Sequence, residues 1–187
     1  MSFGGKTPRI YESPEGKKLP SVTSILQLEA KSALIQWAAN CCSDRCIELV
    51  KQYTDTDMTL RKLMSELKYA RYAHKKVGKK ATDVGTEVHD AIEVYLKTGK
   101  LSEMQHNQSM SSMMSFLEWW DTQNGEVLHM EEPIYGNGYA GRFDLIARLS
   151  GIVTLVDFKT SKGIYPSYGW QIAAYKHAWN SALTVEP

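Results

Sequence analysis

The chain has 187 residues, of which 43% are hydrophobic and 23% charged, and its 22 basic and 21 acidic residues leave a formal net charge of +1. This length suits one well-filled domain, and the sequence has no apolar run long enough to span a bilayer. The near-neutral balance excludes a uniformly polybasic or polyacidic protein, although charge can still be concentrated locally.

The N-terminal part predicts a hairpin followed by a helix. Residues 8–20 alternate in polarity and turn at Pro14-Glu15-Gly16, which is typical of a β-hairpin. From Ser21 to about Gln52, apolar residues recur every three or four positions, as on one helix face. The three cysteines, Cys41, Cys42 and Cys46, lie close together on this predicted helix and are expected to be free thiols.

The next predicted helix, Thr54 to Lys80, concentrates positive charge in its second half. Between Arg61 and Lys80 there is one acidic residue, and Tyr69, Tyr72 and His74 are interleaved with the basic ones. We call this segment the basic stretch; its cationic residues are Arg61, Lys62, Lys68, Arg71, Lys75, Lys76, Lys79 and Lys80. The mixture suits a phosphate backbone with unstacked bases, while a solvated helix face is the alternative explanation.

The remaining elements predict a mixed α/β fold. Helices are expected at 83–96 and 105–124, and after Gly125 the period changes to two. Three antiparallel strands, 126–135, 139–149 and 152–158, and a last helix, 167–182, follow. We therefore expect one domain over residues 1–187, with a hairpin and helical region at 1–124 and a catalytic sheet and helix at 125–187.

Two carboxylates and a lysine stand out in the predicted sheet. Asp144 lies on the second strand and Asp157 at the end of the third, so the two side chains can meet. Neighbouring carboxylates repel each other unless a cation lies between them, and oxygen ligands favour Mg²⁺ or Mn²⁺. Lys159 is two residues after Asp157 and would face the same side. A buried Asp/Lys ion pair at a strand end explains these two residues equally well.

These residues lie in motifs that resemble a known superfamily. The segments "GYAGRFDLIA", "LVDFKTSK" and "WQIAAY" resemble the PD-(D/E)XK nucleases, in the RecB-like branch. The upstream "GTEVHDAIE" is similar to the helix that this branch places before its sheet. The opening "YESPEGKKLPSVTSIL" resembles that of phage and mitochondrial genome-maintenance exonucleases. The resemblance covers nearly the whole chain and implies a restriction-endonuclease-like core.

The resemblance implies a role for each matching residue. Asp144, Asp157, His89 and the backbone carbonyl of Phe158 would bind the metal, and Lys159 would be the catalytic lysine. Gln171 and Tyr175, one helical turn apart, would support the lysine and the scissile phosphate. Glu131 would be a further acidic catalytic residue. The residues expected to contact DNA are Arg71, Lys75, Lys76, Lys79, Lys80, Thr160 and Ser161.

Two features depart from the family pattern. Iron–sulfur members of the branch have cysteines after the Gln/Tyr helix, whereas all three cysteines here precede His89, so no such cluster is expected. Family members usually continue beyond that helix, while this sequence ends soon after it. We therefore expect either that the core is clipped on this side or that a protein partner or a second copy completes it.

The sequence thus predicts a metal-dependent DNA nuclease, best described as an exonuclease on single-stranded or end-exposed DNA. The alternatives are a structure-specific endonuclease of the same fold, a catalytically silent DNA-binding or assembly subunit, and a plain α/β domain with a surface ion pair. The N-terminus has no secretory signal, so an intracellular location is expected, in the cytoplasm of a bacterium or a phage-infected host. The mitochondrial matrix fits less well because no transit peptide is visible, and no membrane partner is expected.

Overall fold

A computed structural model describes residues 9–29 and 31–183 of the chain. Within these ranges the chain forms both helices and strands. In chain order they are β1 (Ile10–Glu12), β2 (Lys18–Pro20), α1 (Val22–Leu26), α2 (Lys31–Asp55), α3 (Leu60–Ala70), α4 (Ala73–Thr98), α5 (Asn107–Thr122), β3 (Glu126–Met130), β4 (Pro133–Gly136), β5 (Tyr139–Arg142), β6 (Leu145–Leu149), β7 (Ile152–Val156) and α6 (Pro166–Leu183).

The chain forms two compact units, and the sheets belong to the first, which comprises residues 1–28 and 85–187. Its three-stranded sheet has the order β3-β6-β7, with antiparallel neighbours. The strands β4 and β5 pair separately as a hairpin, as do β1 and β2. The second unit, residues 29–84, contains α2, α3 and the first part of α4.

The central strand β6 is buried on both faces, which explains its apolar sequence. Leu145, Ala147 and Leu149 form one cluster, against which Trp119 and Trp120 of α5 pack. Ile146 points the other way, as alternation along a strand requires, and joins a cluster with residues of α1 and α6. Helices therefore pack on both faces of this central strand.

The mixed α/β composition and the N-terminal hairpin are confirmed, whereas three predicted helices differ from the structure. The helix predicted from Ser21 to about Gln52 is interrupted, since α1 ends at Leu26 and α2 begins only at Lys31. The predicted helix 54–80 is interrupted at Arg71-Tyr72, where α3 ends. No glycine or proline marks this break, so periodicity alone could not reveal it. Conversely, α4 continues through 80–83, where a boundary was expected. This segment has no proline, and Lys79 pairs with Asp83 one turn later, which favours a continuous helix.

Two of the three predicted long strands are each divided in two. The first is interrupted at Glu131-Glu132, where Glu131 has a φ of 54°, and the second at Phe143-Asp144. The third strand ends at Val156, so Asp157 and Lys159 follow it instead of belonging to it. These interruptions lie where polar residues of the predicted site occur. Within the described ranges, none of the helices combines the length and apolarity needed to cross a membrane.

Candidate metal centre and active site

His89, Glu131 and Asp144 come together from three separate elements of the first unit. Each offers one ligand atom, and these atoms lie within 4.8 Å of one another. The pairing of Met130 with Leu145 places Glu131 beside Asp144, since each is the next residue outward along its chain. The Glu131 N–H donates to the Asp144 carbonyl at 3.1 Å. The end of this strand pair therefore presents two carboxylates to the histidine of α4.

The orientation of His89 is set by a backbone carbonyl. Its Nε2 lies 3.0 Å from the Phe158 oxygen, a contact that requires the proton on Nε2. In the neutral ring, Nδ1 then carries the lone pair, and Nδ1 lies 3.7 Å from Asp144 Oδ2. A second bond runs from the Phe158 N–H to Asp144 Oδ2 at 2.6 Å. The backbone of Phe158 therefore orients two members of the cluster, as outer partners of metal ligands do.

The electrostatics of the cluster disfavour two uncompensated negative charges. Burial raises the pKa of Asp144 to about 6, and repulsion from Asp157 adds to this, while His89, the Phe158 N–H and Lys159 act in the opposite direction. The pKa of Glu131 is also raised, chiefly by burial, against the attraction of Arg142. A bound cation would offset the cost of both charges.

The donor set fits a divalent metal ion. Two carboxylates and one imidazole nitrogen whose lone pair faces them are typical ligands of Mn²⁺. Carboxylates are ligands of Mg²⁺ as well. His89, Glu131 and Asp144 can therefore hold the expected ion. The Phe158 carbonyl, also predicted as a ligand, is in contact with His89 Nε2.

Asp157 lies next to this cluster but has partners of its own. Its side chain is only 4% exposed, and its carboxylate forms an ion pair with the Lys159 ammonium. The other oxygen, Oδ1, accepts a hydrogen bond of 2.9 Å from the Gln171 amide. The antiparallel pairing of Leu145 with Val156 brings Asp157 to the same sheet edge as Asp144. The buried Asp/Lys pair left open by the sequence is thus present, and it adjoins the candidate metal ligands.

Gln171 and Tyr175 share the inner face of α6, as their spacing predicts. The Gln171 amide donates to the Tyr175 hydroxyl oxygen at 3.2 Å, and both residues are buried. Burial raises the pKa of Tyr175 to about 12, and Asp157 and Asp144 repel the phenolate further. The ring packs against Gly141, where an added Cβ would lie 2.4 Å from Tyr175 Cε1. Glycine at position 141 is therefore what allows Tyr175 this close to the sheet.

The predicted DNA contacts lie in different parts of the chain. Thr160 and Ser161 directly follow Lys159 in the first unit, and Ser161 Oγ donates to the Gly163 carbonyl. The others belong to the second unit, where all five side chains are exposed; they are Arg71, Lys75, Lys76, Lys79 and Lys80. Within that unit, the cationic groups of Arg71 and Lys75 lie 4.7 and 4.9 Å from the centroid of the Tyr72 ring.

Two further residues touch the site and were not predicted. Arg142 Nη1 lies 3.7 Å from Glu131 Oε2, and the Lys159 ammonium lies 5.4 Å from the centroid of the Tyr168 ring. Sequence signals existed for both. Arg142 is two residues before Asp144 in the quoted motif, and Tyr168 is three residues before Gln171, hence near it on the helix.

Comparison with known proteins adds no family assignment. Neither the family models nor the curated proteins searched contain a match to this chain.

Proposed function

We propose that the protein is a metal-dependent nuclease of restriction-endonuclease-like fold that hydrolyses phosphodiester bonds in DNA. The observation that carries this proposal is the arrangement at one sheet edge. A His89/Glu131/Asp144 cluster suited to a divalent cation lies next to a buried carboxylate paired with Lys159. The motif resemblance supports the same activity independently of this geometry.

The chain's own residues divide the work at the site. His89, Glu131 and Asp144 would hold Mg²⁺ or Mn²⁺, with Phe158 orienting the first and the last of them. The chemistry that such a cation supplies in phosphodiester hydrolysis is a bound water of lowered pKa and charge stabilisation at the phosphoryl oxygens. Asp157 adds negative charge at the same edge and holds Lys159.

We assign to Lys159 the role of stabilising the transition state. Its side chain is 30% exposed, so the ammonium can reach a phosphate, while Asp157 and the Tyr168 ring restrict its position. A positive group fixed before the reaction stabilises charge that develops on the phosphate. Gln171 bonds the carboxylate that holds the lysine and is therefore a positioning residue.

The substrate is best taken as single-stranded or end-exposed DNA. The basic stretch combines cations with the exposed rings of Tyr69 and Tyr72, which are 66% and 42% exposed. Phosphate contacts and base stacking together are the usual means of binding single strands. The resemblance to phage and mitochondrial exonucleases favours digestion from an end, and a structure-specific endonuclease is the alternative with the same chemistry. A silent assembly subunit is disfavoured because Asp144, Asp157, Lys159 and Gln171 are all present.

One incubation series tests the activity. End-labelled linear single-stranded DNA is treated with the wild-type protein in Mg²⁺, Mn²⁺ or EDTA. We expect degradation with either metal and none with EDTA. Lys159→Met should lose cleavage by a far larger factor than it loses DNA affinity, because a group acting on the transition state affects turnover more than binding. Lys176→Met, an exposed lysine on α6, is the matched control. Absence of cleavage in both metals would overturn the proposal.

A second comparison separates the two enzyme candidates. Linear and circular single-stranded DNA of the same sequence are treated with limiting protein and Mn²⁺. An exonuclease consumes the linear form and leaves the circle intact. Equal cleavage of both forms would instead establish the endonuclease.

A further inference from the structure

A groove opens beside Lys159, where the chain leads from β7 into α6. Its volume is about 520 Å³, within the range of small-molecule sites. The residues that matter for its chemistry are Lys159, Ser161, Lys162, Ile164, Tyr168 and Ile172. Gly163 and Gly169 also line it, and neither has any other group within 4 Å of where a Cβ would be. The groove therefore has free space directly next to the proposed catalytic lysine.

We propose that this groove binds the nucleoside attached to the scissile phosphate. The inference rests on the proposed nuclease function and names a subsite for it. The occupant is one nucleotide of the DNA strand, with its phosphate towards the two lysines and its base against the apolar wall. If the groove holds this nucleotide, the rate of cleavage depends on the presence of a nucleobase at that position of the strand.

The lining of the groove combines positive charge with apolar surface, as a nucleotide requires. Lys159 and Lys162 supply two positive groups to its lining, and Asp157 is already paired with Lys159. Ile164, Tyr168 and Ile172 supply apolar surface. Ile164 is 95% exposed, so its side chain is accessible to a ligand in the groove. A phosphate and a base together match both kinds of lining.

The ring of Tyr168, the aromatic residue of the apolar lining, is held in place before any ligand binds. The Tyr165 and Tyr168 rings meet edge to face, with centroids 5.5 Å apart. The Lys159 ammonium lies 5.4 Å from the centroid of Tyr168. A backbone hydrogen bond also holds the turn that precedes this ring, because the Tyr168 N–H donates to the Tyr165 carbonyl at 3.0 Å. Contact of one base with such a ring typically changes affinity roughly 5- to 150-fold.

Abasic substrates provide the test. A labelled linear single strand with one abasic nucleotide is compared with the intact strand in Mn²⁺, and the cleavage rates of the bonds flanking that position are measured on a sequencing gel. The wild-type protein should cleave one flanking bond roughly 5- to 150-fold more slowly in the abasic strand. Gly169→Phe fills the groove and should bring this ratio close to one. Asn180→Phe, three helical turns along α6 and exposed, should keep the wild-type ratio.

A second variant guards against loss of folding or of all activity. Ile164→Ser alters only an exposed side chain and should reduce the ratio roughly fourfold, the effect of about one buried CH₂ group, while the intact strand is still cleaved. A wild-type ratio near one, or an unchanged ratio in Ile164→Ser, would overturn the subsite and leave the nuclease function standing. If the wild-type protein does not cleave even the intact strand, the proposed function fails and this inference fails with it.

Discussion

The Gln171 amide donates a hydrogen bond of 2.9 Å to Asp157, the carboxylate that also pairs with Lys159. Asp157 is thus held from α6 on one oxygen and by the lysine on the other. The position of the ammonium consequently depends on a residue that does not itself contact it. This relationship predicts the phenotype of Gln171 variants.

Gln171→Met retains the size of the side chain and removes the donor. The buried Asp157 oxygen then lacks its partner and Lys159 is less well positioned, so we expect kcat to fall. The upper limit is roughly 150-fold, reached if the whole energy of a hydrogen bond to a charged group is lost from the transition state. KM should change little because substrate binding is not affected. Steady-state kinetics on single-stranded DNA provide both constants, with Asn180→Met as the control on the same helix. A rise in KM at constant kcat would show that Gln171 acts in binding instead.

Gly141→Ala should destabilise the first unit. The added methyl group would lie 2.4 Å from the Tyr175 ring, and overpacking of this kind costs about 1–3 kcal/mol. Gly169→Ala is the matched control, because it meets no atom within 4 Å and a helical Gly→Ala change is stabilising by about 0.5–1 kcal/mol. Urea denaturation measures both. Equal stability of the two variants would contradict the close packing of Tyr175 on the sheet.

Replacing four lysines of the basic stretch should weaken DNA binding and its salt dependence. If Lys75, Lys76, Lys79 and Lys80 contact phosphates, each Lys→Gln change should flatten the slope of log K against log salt by roughly 0.7. Fluorescence anisotropy with single-stranded DNA in EDTA measures this without cleavage. The control carries four exposed lysines changed elsewhere, at positions 17, 18, 100 and 176. An unaltered slope would mean that the stretch is simply a solvated helix surface.

Glu87 should make a pH-dependent contribution to stability. Its carboxylate accepts from the Gln105 N–H and contacts His106 Nδ1 at 2.9 Å, which joins α4 to the start of α5. Among the groups near Glu87, the Ser109 hydroxyl lowers the pKa of this carboxyl most, although it forms no hydrogen bond of good geometry. We regard it as a close polar neighbour. Together these groups lower the pKa of Glu87 from 4.5 to about 2.

A carboxyl group with a lowered pKa stabilises the folded state above its unfolded pKa and loses this effect as the pH falls towards the folded pKa. Glu87→Gln should therefore melt at a lower temperature than the wild type near neutral pH. The difference should shrink as the pH decreases from about 4.5 to about 2. Glu118→Gln on the exposed part of α5 is the control. A melting difference that is constant over this range would exclude the charge of Glu87 as its cause.

Sequence patterns predicted much of this fold because they report local structure. The alternation around Pro14-Glu15-Gly16 and the period of α5 required no knowledge of distant residues. The break at Arg71-Tyr72 was missed because no glycine or proline marks it. The turn at Glu131 was missed although Pro133, which follows Glu132, is a signal for a strand boundary. The proximity of Glu131 to Asp144 follows from the register of β3 and β6, a long-range property.

The candidate site, like the fold, could be predicted only in part from the sequence. Asp144, Asp157 and Lys159 stood out because charged residues in or directly after apolar strands are costly unless they have a role. Their partners were harder to predict, since the bonds from Gln171 to Asp157 and from His89 to Phe158 join elements far apart in the chain. The metal-binding and catalytic roles of all these residues stay predictions.

The central claim is that His89, Glu131 and Asp144 bind the cation on which cleavage depends. The most direct test measures Mn²⁺ binding by calorimetry and DNA cleavage on the same samples of wild type, Asp144→Asn and Asp121→Asn, the last an exposed aspartate on α5. Because a metal ligand matters at least as much as its outer partners, Asp144→Asn should lose about 100-fold or more in Mn²⁺ affinity and lose cleavage with it. Asp121→Asn should keep both. Wild-type Mn²⁺ affinity and cleavage in Asp144→Asn would contradict the account.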